Sequence, residues 1–185
     1  MIMIEDLSNI WKQLTQARDR SDAYECRKSM NGPVSPDVIE QQLRRLLDQP
    51  IPAELLQSLQ IHDGVSEDGC WFSNTFAFYP MSAAQIMRRW QSDRQREAEM
   101  KAEDMDWEIN RNFIPVIGDY AAHHTYYLDA RDGTFVNYIE DGLTIDKFRY
   151  PNYQTYLSDV LRKVLADSEY VWPWREDHKK SLWPI

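Results

Sequence analysis

The chain has 185 residues, 28% of them charged and 43% hydrophobic, which fits one domain with a buried core and excludes a disordered composition. Its formal net charge of −9 argues against general nucleic-acid binding, because binding to phosphates needs clustered Lys and Arg. No apolar run approaches the roughly 18 residues of a membrane span. The first residues, with Glu5 and Asp6 close behind Ile4, lack the pattern of a signal peptide, so we expect a cytoplasmic protein.

The N-terminal part of the chain has the periodicity of helices. Apolar residues at helical spacing predict a first helix over residues 7–17, and the polar stretch 18–32 is expected to be a loop. Ser35 as the cap and Pro36 at the first position indicate a second helix, which Pro50 stops. Two helices therefore precede residue 50.

A third helix is expected to begin at Pro52. Leu55 and Leu59 lie on one face of it, and Gly64 supplies the positive φ that ends the helix. The adjacent His62 and Asp63 resemble an acid–base pair, but a His in the last turn also suits the helix dipole. We interpret these residues as the end of a helix.

The middle of the chain combines an aromatic strand with a charged helix. Aromatic residues over 71–79 predict a strand that Pro80 ends. Ser82 and Gln85 have the spacing of a capping box at the start of the next helix. We expect this helix to continue through a charged run as far as Asp106 and to present that run to solvent.

Four short apolar segments predict a sheet in the second half of the chain. They span residues 113–117, 125–128, 135–139 and 143–145, and the short connections between them favour an antiparallel meander. After Pro151, an apolar stripe predicts a helix that covers one face of this sheet. The stripe comprises Tyr153, Tyr156, Leu157, Val160, Leu161, Val164 and Leu165. The expected fold class is α+β, with N-terminal helices and an antiparallel meander sheet covered by a C-terminal helix.

The chain divides by composition into three parts. Residues 1–33 form an N-terminal helix and loop, residues 34–167 form the α+β domain, and residues 168–185 form a tail rich in Trp and Pro. We expect the tail tryptophans to pack on the domain. The alternative is that they bind a partner or a second copy of the chain, which would make a homodimer.

The sequence contains none of the common short catalytic motifs. It has no GxxxxGK[ST], GxGxxG, GxSxG or HExxH pattern. His123 and His124 are candidate metal ligands in a loop, whereas on a strand their side chains would point to opposite faces. We expect no metal site, no cofactor and no enzymatic activity; a metal-dependent enzyme that uses these histidines is the least favoured alternative.

Acidic residues recur at the expected turns of the sheet. Asp119, Asp129, Asp132, Glu140 and Asp141 follow successive strands and are expected to gather at one end of it. Asp favours turns for local reasons, which explains most of them. The other interpretation is an acidic patch that receives a basic partner. The candidate partner-binding residues are Asp119, His123, His124, Asp132, Glu140 and Asp141.

The order of these signals resembles the SUKH superfamily. The resemblance rests on a series of motifs over residues 34–165, namely Ile51-Pro52-Ala53-Glu54-Leu55, His62-Asp63-Gly64, Met81-Ser82-Ala83-Ala84-Gln85-Ile86 with Trp90, Phe113-Ile114-Pro115-Val116-Ile117, Tyr126-Tyr127-Leu128-Asp129 and Tyr153-x-x-Tyr156-Leu157. The segment Tyr120-Ala121-Ala122-His123-His124 departs from the glycine-rich pattern of relatives. The superfamily includes fungal regulators of cell-wall glucan synthesis and bacterial immunity proteins.

This resemblance implies a function in protein binding. It implies an α+β fold without a shared catalytic constellation, and an immunity protein that neutralises a cognate toxin, commonly a nuclease, by occluding its active surface. A basic toxin would be attracted to an acidic protein. The alternative implied by the fungal branch is a regulatory or scaffold module that binds an endogenous partner.

Overall fold

The computed structural model describes residues 6–19, 31–44, 50–65, 79–105, 109–118, 124–139 and 144–166, and five helices lie within these ranges. They are α1 (Leu7–Asp19), α2 (Pro36–Leu43), α3 (Ala53–Ile61), α4 (Ala83–Ala102) and α5 (Tyr153–Ala166). Each corresponds to a helix expected from the sequence. The Trp- and Pro-rich tail, on which a packing or partner-binding role was predicted, lies outside the described residues.

A five-stranded antiparallel sheet forms the other layer, with its strands in the order of the chain. The strands are β1 (Tyr79–Pro80), β2 (Phe113–Gly118), β3 (His124–Asp129), β4 (Phe135–Ile139) and β5 (Thr144–Tyr150). The expected α+β class and antiparallel meander are confirmed. β5 is longer than predicted, and most of the predicted aromatic strand lies outside the described residues.

The ends of α2 and α4 differ from the prediction. Ser35 occupies the N-cap of α2 and Pro36 begins the helix, but the Ser35 side chain makes no capping hydrogen bond. The helix ends at Leu43, and residues 45–49 lie outside the described ranges. α4 ends at Ala102, before Asp106, and Asp104 follows with a φ of 56°. A residue at positive φ cannot continue a right-handed helix.

The capping box at the start of α4 is confirmed. Ser82 Oγ accepts a hydrogen bond from the Gln85 backbone N–H at 3.2 Å, and Gln85 Oε1 accepts one from the Ser82 N–H at 2.6 Å. Two N–H groups that the helix leaves without partners are thereby satisfied.

Gly64 has a different role from the predicted one. α3 ends at Ile61 because His62 is already extended, with φ −146° and ψ 125°. Gly64 does have a positive φ of 61°, but it lies against the backbone that leads into α4. A Cβ on Gly64 would lie 2.3 Å from the Ser82 nitrogen and 2.4 Å from the Met81 carbonyl carbon. The glycine therefore permits a close approach of two backbone segments.

The main hydrophobic core lies between one face of the sheet and the helices. Phe135 of β4 stacks on Tyr156 of α5 with ring centroids 4.5 Å apart, so α5 covers this face as predicted. Among the described side chains of α5, the buried stripe includes Leu161, whereas Leu165 is 59% exposed and does not belong to it. The Val164 side chain, which was predicted to belong to the stripe, is not among those described.

α1 contributes to the same core. Its four buried side chains are Leu7, Ile10, Trp11 and Leu14, and they belong to the same cluster as the buried residues of α3 and α5. Trp11 Nε1 donates a hydrogen bond to Ser58 Oγ of α3 at 2.9 Å. The helix that was assigned to a separate N-terminal part is thus packed into the α+β core.

The opposite face of the sheet is also buried where the structure describes it. Tyr126 and Tyr127 are neighbours on β3 and point to opposite faces, yet both are fully buried. Tyr127 packs with Ile109, Phe113 and Val136 in a second, smaller cluster. β3 is therefore a strand covered on both sides.

Candidate partner-binding surface

The meander gives the sheet two ends that can be distinguished by their residues. The pairs Gly118↔Thr125, His124↔Ile139 and Ile139↔Thr144 define one end, which we name the Gly118 end. Phe113↔Asp129 and Leu128↔Phe135 define the other, which we name the Asp129 end. Every connection between strands β2 to β5 therefore belongs to one end or the other.

The candidate partner-binding residues divide between these ends. His124 begins β3 at the Gly118 end, although its side chain is not among those described. Residues 119–123 and 140–143 lie outside the described ranges, but they join strands that end or begin there. Asp119, His123, Glu140 and Asp141 are among these residues, so the structure does not describe their positions. Asp132 instead lies in the turn after β3, at the Asp129 end.

The expected gathering of all the turn acids at one end is therefore wrong for Asp129 and Asp132. In an antiparallel meander, successive connections alternate between the two ends of the sheet. The connection after β3 is thus opposite to those after β2 and β4. The prediction overlooked this alternation, which the sequence itself already implied.

Asp129 is used by the turn that it begins. Its carboxylate accepts hydrogen bonds from Arg131 Nε at 2.9 Å and from Arg131 Nη2 at 2.6 Å. It also accepts one from the Arg131 backbone N–H at 3.0 Å. The side-chain hydrogen bonds from Arg131 lower the pKa of Asp129 below its usual value, against the opposing effect of burial.

Asp132 has a similar local role in this turn. Its Oδ1 accepts a hydrogen bond from the Thr134 N–H at 2.8 Å, and Gly133 follows Asp132 with a φ of 76°. Both features are typical of turns, since Asp bonds to nearby backbone and glycine adopts positive φ freely. The local interpretation of turn acids thus accounts for Asp129 and Asp132.

His62 and Asp63 are positioned by contacts with three other segments. The His62 ring lies edge-on against Trp11, with ring centroids 5.4 Å apart. Asp63 Oδ1 accepts a hydrogen bond from the Ala83 N–H of α4 at 2.7 Å, and the Asp63 carbonyl accepts one from Asn31 Nδ2 at 2.8 Å. Burial raises the pKa of Asp63, and the Ala83 hydrogen bond partly offsets this. Asp63 therefore anchors the start of α4 rather than ending α3.

A buried polar contact joins α4 to the sheet. Asp93 is only 4% exposed, and its Oδ2 accepts a hydrogen bond from the Tyr127 hydroxyl at 2.9 Å. Its Oδ1 lies 2.9 Å from Arg89 Nε one turn earlier on the helix. Burial and the nearby Asp93 carboxylate raise the pKa of Tyr127, so the hydroxyl stays protonated and donates.

The sequence interpretation missed this contact because it assigned the charged run of α4 to solvent. That interpretation is wrong for Asp93, which is buried. One signal was available: β3 has consecutive apolar residues from Tyr126 to Leu128, a pattern typical of a strand buried on both faces. Such a strand requires a second covering element, and α4 was the long helix without a predicted partner.

We find no group of three or more His, Cys, Asp or Glu side chains that could hold a metal ion within the described ranges. His123 lies outside those ranges, and the His124 side chain is not described. None of the helices among the described residues is both long and apolar enough to cross a membrane. No model of a known protein family matches the chain, and a search of curated proteins finds no match either.

Proposed function

We propose that the chain is a non-enzymatic protein-binding domain of the SUKH type, which acts in the cytoplasm as an immunity protein. It neutralises a basic toxin, such as a nuclease, by covering the toxin's active surface. The proposal starts from the resemblance in motif order over residues 34–165. The antiparallel α+β architecture of the chain is compatible with that resemblance.

The observation that supports the proposal is that β2 and β4, each of which is followed by acidic residues in the sequence, end at the same end of the sheet. Residues 119–123 and 140–143 both join strands at the Gly118 end, and they include Asp119, Glu140 and Asp141. The acids of the Asp129 end are engaged by their own turn. The Gly118 end is therefore the better candidate for a surface whose charge recognises a partner.

The net charge gives this surface a physical means of finding a basic partner. An acidic protein attracts a basic one over about one Debye length, which is roughly 8 Å at physiological ionic strength. Such attraction raises the association rate by roughly tenfold to a thousandfold at low salt. Once bound, the domain excludes the toxin's substrate by occupying the surface where it would bind.

Co-expression with toxins encoded next to this chain tests the proposal directly. We expect one toxin to form a stable complex with the chain and to lose its toxicity when both are expressed. Absence of any complex and of any growth rescue across that set would refute the immunity function. A complex with a non-toxic neighbour would instead support the regulatory alternative.

Charge reversal tests whether the Gly118 end makes the contact. Glu140→Lys with Asp141→Lys should slow association with the basic partner by about tenfold at low salt, because the local attraction becomes repulsion. Surface plasmon resonance at two salt concentrations measures this rate. The matched control is Glu99→Lys with Glu103→Lys, which makes the same change in net charge at an exposed position of α4 and at the exposed residue that caps its C-terminus. Equal slowing by both pairs would place the contact elsewhere.

A further inference from the structure

The segment that precedes α2 is bonded to the turn that follows α3. The Asn31 backbone N–H donates to the Gly64 carbonyl at 3.1 Å, and the Gly32 carbonyl accepts a hydrogen bond from the Asp63 N–H at 3.2 Å. The Asn31 side chain adds a third bond, in which Nδ2 donates to the Asp63 carbonyl at 2.8 Å. These three hydrogen bonds all depend on two adjacent residues, Asn31 and Gly32.

Asn31 and Gly32 form the only Asn–Gly dipeptide in the sequence. Asparagine is thermolabile, because the backbone nitrogen of the next residue can attack its side-chain amide. A following glycine has no side chain to hinder this attack. Gly32 is exposed, and nothing lies within 4 Å of the place where a Cβ would be. Its N–H donates to no group among the residues that the structure describes, so no such bond holds the attacking nitrogen.

We propose that Asn31 is a site of spontaneous deamidation. The Gly32 backbone nitrogen forms a bond to Asn31 Cγ, and its proton passes through water to Nδ2. The bond between Cγ and Nδ2 breaks, and ammonia leaves a five-membered succinimide ring. Water then opens the ring at either carbonyl and produces aspartate or isoaspartate. The reaction needs no bound ligand, since the two reacting groups are covalent neighbours, and it does not depend on the function proposed above.

Both products would weaken the attachment that Asn31 makes. A carboxylate only accepts hydrogen bonds, so the group that replaces Nδ2 would face the Asp63 carbonyl without a hydrogen between them. Isoaspartate also adds one atom to the backbone between residues 31 and 32. The Asn31 N–H and the Gly32 carbonyl could then not both keep their present partners. Because Asp63 also accepts a hydrogen bond from the Ala83 N–H, the change occurs beside the start of α4.

Mass spectrometry of the full-length chain tests the site. The chain is incubated in mildly alkaline buffer at body temperature, and samples are digested with trypsin at intervals. The tryptic peptide of residues 29–44 contains Asn31 as its only asparagine. We expect this peptide to acquire the mass of the deamidated form, and chromatography should resolve an aspartate and an isoaspartate product.

Asn112 is the matched internal control. It is half-buried, as Asn31 is, and its Nδ2 also donates a hydrogen bond, to Asn110 Oδ1 at 3.0 Å. The next residue, however, is Phe113. We expect Asn31 to react about tenfold faster or more, because only its neighbour lacks a side chain. Equal rates at the two asparagines would overturn the proposal.

Gly32→Ala tests whether the neighbouring glycine controls the rate. Its φ is not positive and its Cβ position is empty, so alanine fits there without a clash. The variant should keep at least the urea midpoint of the unmodified chain and should deamidate about tenfold more slowly or less. Deamidation of this variant at the unmodified rate would contradict the proposal.

Two substitutions of Asn31 test the structural effect of the reaction. Asn31→Asp reproduces one product and should lower the urea midpoint, since it replaces a donor by a charged acceptor. Asn31→Ala removes the donor without adding charge, so its midpoint should lie between those of Asn31→Asp and the unmodified chain. Loss of folding in Asn31→Asp alone would be the extreme form of this result. An Asn31→Asp variant as stable as the unmodified chain would refute the weakened attachment.

Discussion

Gly64 occupies a position where both the backbone conformation and the tertiary packing require a glycine. Its positive φ was expected from the sequence, because a glycine after a helix commonly adopts that conformation. Its neighbours in space were not expected, because Met81 and Ser82 are distant from Gly64 in the chain. Only the folded structure brings their backbone against Gly64. Local pattern thus predicts a backbone angle, whereas it does not predict what occupies the space beside it.

Substitution of Gly64 tests this distinction. Gly64→Ala should destabilise the fold by about 3 kcal/mol or more, because a strained φ is combined with a clash against rigid backbone. Gly133→Ala is the matched control, since its φ is 76° but nothing lies within 4 Å of the added carbon. We expect it to cost only about 1 kcal/mol. Urea unfolding measures both, and equal losses would contradict the packing role of Gly64.

The Asp129 carboxylate should make stability depend on pH. Its pKa is lowered in the folded state, so the stabilisation is present above the unfolded pKa of about 3.9 and is lost as pH falls through the folded value. Asp129→Asn should therefore have a lower urea midpoint than the unmodified chain at pH 7, and the difference should shrink below about pH 4. A difference of the same size at about pH 3 would contradict this assignment.

Arg131→Gln provides the corresponding control. It removes the side-chain donors that lower the pKa of Asp129 and leaves the backbone hydrogen bond from residue 131 to the carboxylate in place. The variant that combines both substitutions should be scarcely less stable than either single one, because each removes the same interaction.

At the scale of elements, α4 shows both the strength and the limit of sequence patterns. Its start was predicted in detail, since the capping box of Ser82 and Gln85 is a local signal. The burial of Asp93 was not predicted, because hydrophobic periodicity identifies a buried helix face from apolar residues and Asp93 is charged. A carboxylate on a helix can be predicted to be buried only when its partner is known. The partner of Asp93 is Tyr127, which lies 34 residues away in the sequence.

The contact between α4 and the sheet should contribute measurably to stability. Tyr127→Phe leaves the buried Asp93 carboxylate without its hydroxyl donor, so we expect a loss of about 1–3 kcal/mol in the free energy of unfolding. The same substitution in an Asp93→Ala background should cost much less, because the acceptor is already gone. Chemical denaturation of the four proteins in this cycle gives the coupling, and additive losses would contradict the contact.

For the whole molecule, the sequence was sufficient for the fold class and the order of the strands. Short turns between apolar segments leave few alternatives to a meander. The sequence was not sufficient to predict the candidate surface. The acids were grouped because they are close in sequence, without asking at which end of the sheet the strand before each of them ends. Asp132 was therefore grouped with Glu140 and Asp141, although Asp132 lies at the end of the sheet where β4 begins and the other two follow the residue at which β4 ends.

The packing of α1 against α3 and α5 also affects how the chain folds during synthesis. The apolar side of α1, including Leu7 and Trp11, is synthesised about 150 residues before Leu157 and Leu161 of α5. At roughly 5–20 residues per second, a ribosome needs roughly 8–30 s to pass from one to the other. During that interval α1 has no complete core to enter, so its apolar side stays exposed to chaperones.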